Sequence, residues 1–210
     1  MEDNKTLKTG TTTLAIVCKD GLVVAADRRS TAGSMVYGKA SKKIQTIEEN
    51  HVVTTSGSVS DIQLTVKIIK AQVKLDEMRR GKKLMTKEIA NLIAGLNYSA
   101  LRTTYAISSF LLAGRDERGF HVYDITPDGS IIEVQDYAGD GSGVMFTTGV
   151  FEANYRKDMG VDEGVKLAVK AMNAALQRDI YSGNGIDVIT ITSKGIKQVI
   201  DKELDTSIKI

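Results

Sequence analysis

Thr11 follows Gly10 at the head of a β-branched, aliphatic run, Thr11-Thr12-Thr13-Leu14-Ala15-Ile16-Val17. Cutting the Gly10–Thr11 bond would leave a hydroxyl nucleophile and a free α-amine on one residue. Such an amine has a reference pKa of about 7.7–8.0, which suits it to accept the hydroxyl proton near neutral pH. Gly10 has no Cβ, so its carbonyl lies open to attack by the neighbouring hydroxyl. Asp27 and Lys43 border strand-like runs, where a charge taken out of water needs a partner. Lys42 and Lys43 would point to opposite faces of a shared strand, and periodicity leaves open which faces inward. Ser56-Gly57-Ser58, between a strand and a helix, can offer backbone N–H groups to an oxyanion. Gly139-Asp140-Gly141-Ser142-Gly143 reads as a glycine loop. It matches neither GxxxxGK(S/T) nor GxGxxG, so nucleotide binding is discounted. Arg178 to Gly183 reads as a polar, glycine-ended cap. His51 and His121 are isolated from other ligand types, which argues against a metal site.

These groups must be held by the elements around them. Thr11 to Cys18 and Leu22 to Ala26 read as a hairpin joined at Lys19-Asp20-Gly21. Both runs are almost continuously apolar, as expected where both sheet faces are covered. Ser30 to Ala40 reads as a loop with a short strand at Met35–Tyr37. Lys42–Ile47 and His51–Ser56 form a second hairpin around Glu48-Glu49-Asn50. From Val59 the spacing of Ile62, Val66, Ile69 and Val73 predicts a helix, stopped at Arg79-Arg80-Gly81. Thr86 is the expected N-cap of a second helix with Ile89, Leu92, Ile93 and Leu96 on one side. Strands follow at Ser109–Ala113, Phe120–Ile125 and Ile131–Val134. A short helix is expected over Phe151–Met159. A longer one, capped by Asp162, turns Val165, Ala168, Val169, Met172 and Leu176 inward, and strands Ile186–Thr192 and Ile196–Ile200 close the chain. Segregated blocks of strands and helices argue against a parallel βαβ fold. They predict an α+β, four-layer α-β-β-α sandwich: two antiparallel sheets face to face, flanked by helices.

Composition narrows the function classes. The chain has 210 residues, 42% hydrophobic and 26% charged, enough for one sizeable core. Its net charge of +2 makes no case for a nucleic-acid or membrane partner. The one cysteine, Cys18, rules out an internal disulfide and fits a cytoplasmic location. Met1 to Gly10 is polar without an apolar centre, so it reads as a tail or pro-segment rather than a secretory signal.

Taken in order, these fragments resemble a β subunit of the proteasome core particle of the archaeal type, an N-terminal-nucleophile hydrolase. The resemblance rests on Gly10-Thr11-Thr12-Thr13, Ala26-Asp27-Arg28-Arg29 with Thr31, and Lys42-Lys43-Ile44. It continues through Ser56-Gly57 with Asp61, Gly141-Ser142-Gly143, Gln177-Arg178-Asp179 with Ser182-Gly183, and Gly185-Ile186-Asp187-Val188. It implies residues 1–10 as a propeptide removed by self-cleavage between Gly10 and Thr11, and 11–210 as a threonine-type peptidase domain. It selects Lys43 as the inward lysine, paired with Asp27. Ser142, Asp179 and Ser182 would orient the new N-terminus, and the Gly57 N–H would receive the oxyanion. Ser30, Thr31, Ser41, Gln45, Thr55, Val59 and Gln63 would line the pocket for the residue before the cut. No cofactor is implied. The implied partners are other β subunits in heptameric rings, flanking rings of α subunits, an ATP-dependent unfoldase and unfolded polypeptide as substrate. A non-catalytic ring subunit and the bacterial two-ring threonine protease are the neighbouring readings. The intact Gly-Thr junction and lysine argue against the first, and the nine residues before Gly10 against the second.

Overall fold

Strand residues that alternate between two different apolar environments organise the molecule. The computed structural model describes residues 10–104 and 107–204. The first sheet runs in the order β10 (Tyr137–Gly141), β1 (Thr12–Cys18), β2 (Gly21–Asp27), β11 (Gly185–Thr192) and β12 (Gly195–Glu203). The second runs β5 (Ile44–Glu48), β6 (His51–Gly57), β7 (Ser108–Asp116), β8 (Gly119–Ile125) and β9 (Ile131–Val134). A ribbon of β3 (Ser30–Ala32) and β4 (Met35–Gly38) stands apart from both. All pairings are antiparallel.

On β1, Leu14, Ile16 and Cys18 pack outward with residues of α3 (Val144–Asn154) and α4 (Val161–Arg178). Ala15, between them, joins Leu22, Val24, Val52 and Leu111 in the layer between the sheets. On the other side, Val53, Phe110 and Leu112 pack with α1 (Val59–Arg80) and α2 (Thr86–Thr104). Every residue of β2 is buried, because each of its faces meets apolar groups. The molecule is thus the expected four-layer α-β-β-α sandwich. Among the described residues, no helix is long and apolar enough to cross a membrane.

Five expectations need correction. Tyr137–Gly141 is an edge strand paired with β1 rather than the start of a glycine loop. Its glycines admit neighbours: a Cβ on Gly139 would lie 3.0 Å from Val144, and one on Gly141 2.1 Å from the Thr11 carbonyl oxygen. The helix expected over Phe151–Met159 is α3, which begins at Val144 with Thr147 and Phe151 turned inward. Helix α4 starts at Val161, so Asp162 lies in its first turn, and Asp20 from the β1–β2 turn accepts the Val161 N–H at 2.8 Å. Its buried stripe is Gly164, Leu167, Ala168, Ala171, Met172 and Ala175, with Val165, Val169 and Leu176 only partly buried. Small residues face the sheet because they let the helix approach closely; a Cβ on Gly164 would sit 2.6 Å from the Cys18 sulfur. Thr86 is the first residue of α2 rather than its cap, and Asp116 accepts both its N–H and its hydroxyl at 2.8 Å. The first helix matches its pattern, with Val66, Ile69 and Val73 buried and Gly81 as its left-handed cap at φ 67°.

Candidate active site

The strand period places Thr11 and Thr13 toward the space between the sheets and Thr12 toward the helix layer. Thr13 accordingly accepts the Thr54 hydroxyl of β6 at 3.1 Å, which ties the two sheets together beside the site. Lys43 enters from the second sheet, one residue before β5. Its backbone carbonyl accepts the Thr55 N–H at 3.0 Å and the Thr55 hydroxyl at 3.2 Å. So fixed, the buried Lys43 ammonium reaches the first sheet, 2.6 Å from Asp27 Oδ1 and 3.3 Å from the Gly10 carbonyl oxygen. Lys42 points the other way, more than half exposed, toward Asp187 and Asp201.

Asp27 ends β2 fully buried, and its oxygens are saturated with donors. Oδ1 accepts Lys43 Nζ and the Thr12 N–H at 2.9 Å. Oδ2 accepts the backbone N–H of Arg29 at 2.9 Å and of Gly183 at 3.0 Å. Burial pushes the Lys43 ammonium below the ordinary lysine range, while the Asp27 carboxylate pulls against it. The lysine is therefore a cation that gives up its proton more readily than a solvated one.

The Thr11 hydroxyl donates to the Gly10 carbonyl oxygen at 2.8 Å, so hydroxyl and ammonium converge on one carbonyl. The Gly10 N–H donates to Thr31 Oγ1 at 3.0 Å. A Cβ on Gly10 would overlap the Tyr181 Cβ at 1.8 Å, so glycine is sterically required in this arrangement.

On the other face of β1, Asp179 caps the C-terminal end of α4. A carboxylate there meets the negative end of the helix dipole and needs donors to hold it. Ser142 and Ser182 supply hydroxyls to its Oδ2, both at 2.6 Å, and the Tyr181 N–H reaches Oδ1 at 3.1 Å. Ser142 Oγ also accepts the Thr11 N–H at 3.3 Å. A hydroxyl has one proton, and the short bond to the carboxylate takes it. Ser142 is thus an acceptor toward the Thr11 nitrogen.

Gly57 closes β6 at φ 121°, and Ser58 after it is the N-cap of α1. A Cβ there would come within 2.3 Å of the Ile107 carbonyl oxygen, so glycine is needed at this corner too. Of the implied pocket residues, Ser30 and Ser41 flank Gly38, and Thr31 and Thr55 bond directly to Gly10 and Lys43. Gln45 donates to the Lys42 carbonyl at 2.8 Å. Val59 and Gln63 sit one turn apart on the exposed face at the start of α1.

Two neighbours escaped the sequence reading. Arg29 donates to Asn184 and to the Ile180 carbonyl, and would clash with any side chain on Gly183. Thr12 lies fully buried with its hydroxyl 2.6 Å from Ser182 Oγ. Thr12 stands among threonines in the sequence, so nothing in the residue pattern singles it out.

The α-β-β-α sandwich is the fold of the N-terminal-nucleophile hydrolases. A family model described as "Proteasome subunit" matches residues 7–191. The chain is 41% identical to the proteasome subunit beta of Archaeoglobus fulgidus over 196 residues, 93% of this chain and 92% of that one. It is 39% identical to that of Ferroglobus placidus over 196 residues, 93% of each chain. With that of Methanothermobacter thermautotrophicus it shares 38% identity over 210 residues, 100% of this chain and 99% of that one. This chain belongs to the proteasome subunit family.

Proposed function

We propose that the chain is a catalytic β subunit of a proteasome core particle, a threonine endopeptidase that activates itself by cleavage between Gly10 and Thr11. The observation that carries this reading is the convergence of the Thr11 hydroxyl and the Lys43 ammonium on the Gly10 carbonyl oxygen, at 2.8 and 3.3 Å. A subunit that served only as architecture would have no use for a buried lysine–aspartate pair aimed at a Gly-Thr junction.

In self-cleavage the Thr11 nitrogen is an amide and cannot act as a base. A water near Ser142 and Lys43 takes the hydroxyl proton, and Thr11 Oγ1 attacks the Gly10 carbonyl carbon. Lys43 and the Gly57 N–H stabilise the oxyanion. The C–N bond breaks, the nitrogen takes up a proton, and Gly10 is left esterified to Thr11. Water hydrolyses the ester, releasing residues 1–10 with a Gly10 carboxylate and restoring the Thr11 hydroxyl beside its now free α-amine.

In peptide hydrolysis that amine becomes the proton acceptor. Because Ser142 accepts an amine N–H, the nitrogen lone pair is left for the Thr11 hydroxyl proton. The nearby Lys43 charge favours loss of that proton. Asp27 holds Lys43, and Asp179 with Ser182 holds Ser142. The pocket positions Ser30, Thr31, Ser41, Gln45, Thr55, Val59 and Gln63 carry no charge, so neutral and apolar residues before the cut are preferred. The particle would stack heptameric β rings between rings of α subunits, in the cytoplasm, with unfolded polypeptide delivered by an ATP-driven unfoldase.

The test is the Thr11→Ala subunit in an assembled particle, with Lys43→Ala beside it. Both are expected to keep residues 1–10 by intact mass and to lose peptidase activity at least a thousandfold, since nucleophile and activating charge act as a unit. Wild-type turnover by an assembled Thr11→Ala particle would end the reading.

A further inference from the structure

Asp27 and Asp179 are separate centres. Asp27 holds Lys43 between the sheets, and Asp179 holds Ser142 from the helix layer. Thr12 bonds to Asp27 directly and reaches Asp179 through one serine. The Thr12 N–H donates to Asp27 Oδ1 at 2.9 Å, and its hydroxyl lies 2.6 Å from Ser182 Oγ, which in turn donates to Asp179 Oδ2.

The proton order along this path follows from the donor inventory. Asp179 Oδ2 can only accept, and it faces two hydroxyls at 2.6 Å. Each serine therefore spends its one proton on the carboxylate. Ser182 Oγ has none left to offer Thr12, so the Thr12 hydroxyl donates to Ser182. Two arms then converge on one carboxylate oxygen: Thr11 N–H to Ser142 to Asp179, and Thr12 O–H to Ser182 to Asp179. Hydrogen bonds in series polarise one another inside a low-dielectric interior, so a donor at the far end strengthens the bond to the carboxylate. The space for this hydroxyl is made by Gly143, where a Cβ would come within 1.9 Å of Thr12 Oγ1. Gly143 has φ −86°, which any residue can adopt, so contact with Thr12 rather than backbone conformation is the reason for glycine there.

We infer that Thr12 is a positioning residue for the Thr11 amine: its hydroxyl sets the Ser182–Asp179–Ser142 array while its N–H registers that array against the Lys43–Asp27 pair. The inference rests on the reading of Thr11 as nucleophile. Thr12 touches no reacting atom. Its contribution lies in how Ser142 presents an acceptor to the nitrogen beside it.

Thr12→Ala and Thr12→Ser both remove the methyl group, and only serine keeps the hydroxyl. The pair is assayed in processed core particles against a fluorogenic peptide, with Thr11→Ala as reference and thermal unfolding in parallel. Thr12→Ala is expected to lower kcat about tenfold with KM within about twofold, and Thr12→Ser to stay within about twofold of wild type in both. A purely architectural hydroxyl would lower the unfolding temperature and leave kcat alone. Wild-type kcat in Thr12→Ala, or an equal loss in Thr12→Ser, would overturn the inference while Thr11→Ala stays inactive. An active Thr11→Ala particle would instead remove the reading beneath it. Should Thr12→Ala not assemble, Gly143→Ala probes the same contact, because its methyl displaces the hydroxyl from Ser182. It is expected to lower kcat by a similar factor, and unchanged kcat there overturns the inference as well.

Discussion

Gly10 is constrained on two sides. Its carbonyl oxygen faces the Thr11 hydroxyl and Lys43, and its Cα packs against Tyr181. The added Cβ of Gly10→Val would overlap Tyr181 at 1.8 Å, so the backbone must move and carry the carbonyl away from the hydroxyl. Misplacement of a reacting group by about 1 Å is enough to slow a step ~100-fold. We expect loss of residues 1–10 to slow by about that factor, followed as a time course of intact mass. A particle freed by other means, with Thr11 already exposed, should be fully active. Processing of Gly10→Val at the wild-type rate would show that packing of the junction does not control attack.

At the scale of elements, β10 and α4 hold the orienting side of the site against β1. Helix α4 approaches the sheet through Gly164, whose added Cβ would meet Cys18 at 2.6 Å and Val23 at 3.0 Å. Gly164→Val should destabilise the subunit by about 1–3 kcal/mol through overpacking, read as a lower denaturant midpoint with unchanged slope. The neighbouring strands carry the opposite defect, a poorly satisfied charge. Burial, with the charge of Asp140 beside it, pushes the Asp124 carboxyl up from 3.8 to about 6. The folded state therefore holds that proton more tightly than the unfolded chain. The contribution to stability is complete below pH ~4 and declines as pH rises to about 6. In full the displacement is worth ~3 kcal/mol, reduced to about 1 kcal/mol by water at this half-buried position. Asp124→Asn should flatten that decline and unfold at a higher temperature than wild type at pH 8. Equal unfolding temperatures at pH 8 would show that the carboxylate is already paired or solvated.

At the scale of the whole molecule, α1 has one face in the core and another bare. Val66, Ile69 and Val73 are buried, while Leu64, Ile68, Leu75 and Met78 remain 40–71% exposed along its outer side. Exposed apolar lines of this kind commonly mark association surfaces. Leu64→Asp with Ile68→Asp should leave the subunit folded by circular dichroism, unassembled by native mass spectrometry, and still carrying residues 1–10. Normal rings from the double variant would exclude this face from assembly. Coupling of cleavage to assembly would keep the protease latent until its chamber closes around it.

Continuous apolar runs in Thr11–Cys18 and Leu22–Ala26 state by themselves that both faces of those strands are covered, and the block order of strands and helices then leaves few layerings besides the sandwich. The proximity of the Thr11 hydroxyl to the Gly10 carbonyl and the strand-end place of Asp27 are legible for a similar reason, since they follow from adjacent residues and from where a strand stops. Periodicity reports faces, however, not partners. It could not choose between Lys42 and Lys43, because that choice depends on Thr55 of the next strand gripping the Lys43 carbonyl. The strand Tyr137–Gly141 was hidden because glycine has little intrinsic strand preference, and only pairing with β1 across more than a hundred residues makes it one. The inward stripe of α4 runs through Gly164, Ala171 and Ala175 because close packing selects small side chains, which a search for large apolar residues passes over. Thr12 looks like one more β-branched residue in a strand. Its link to Asp27 and Ser182 exists only once segments 15 and 170 residues away are folded onto it, so that part of the site belongs to the tertiary structure alone.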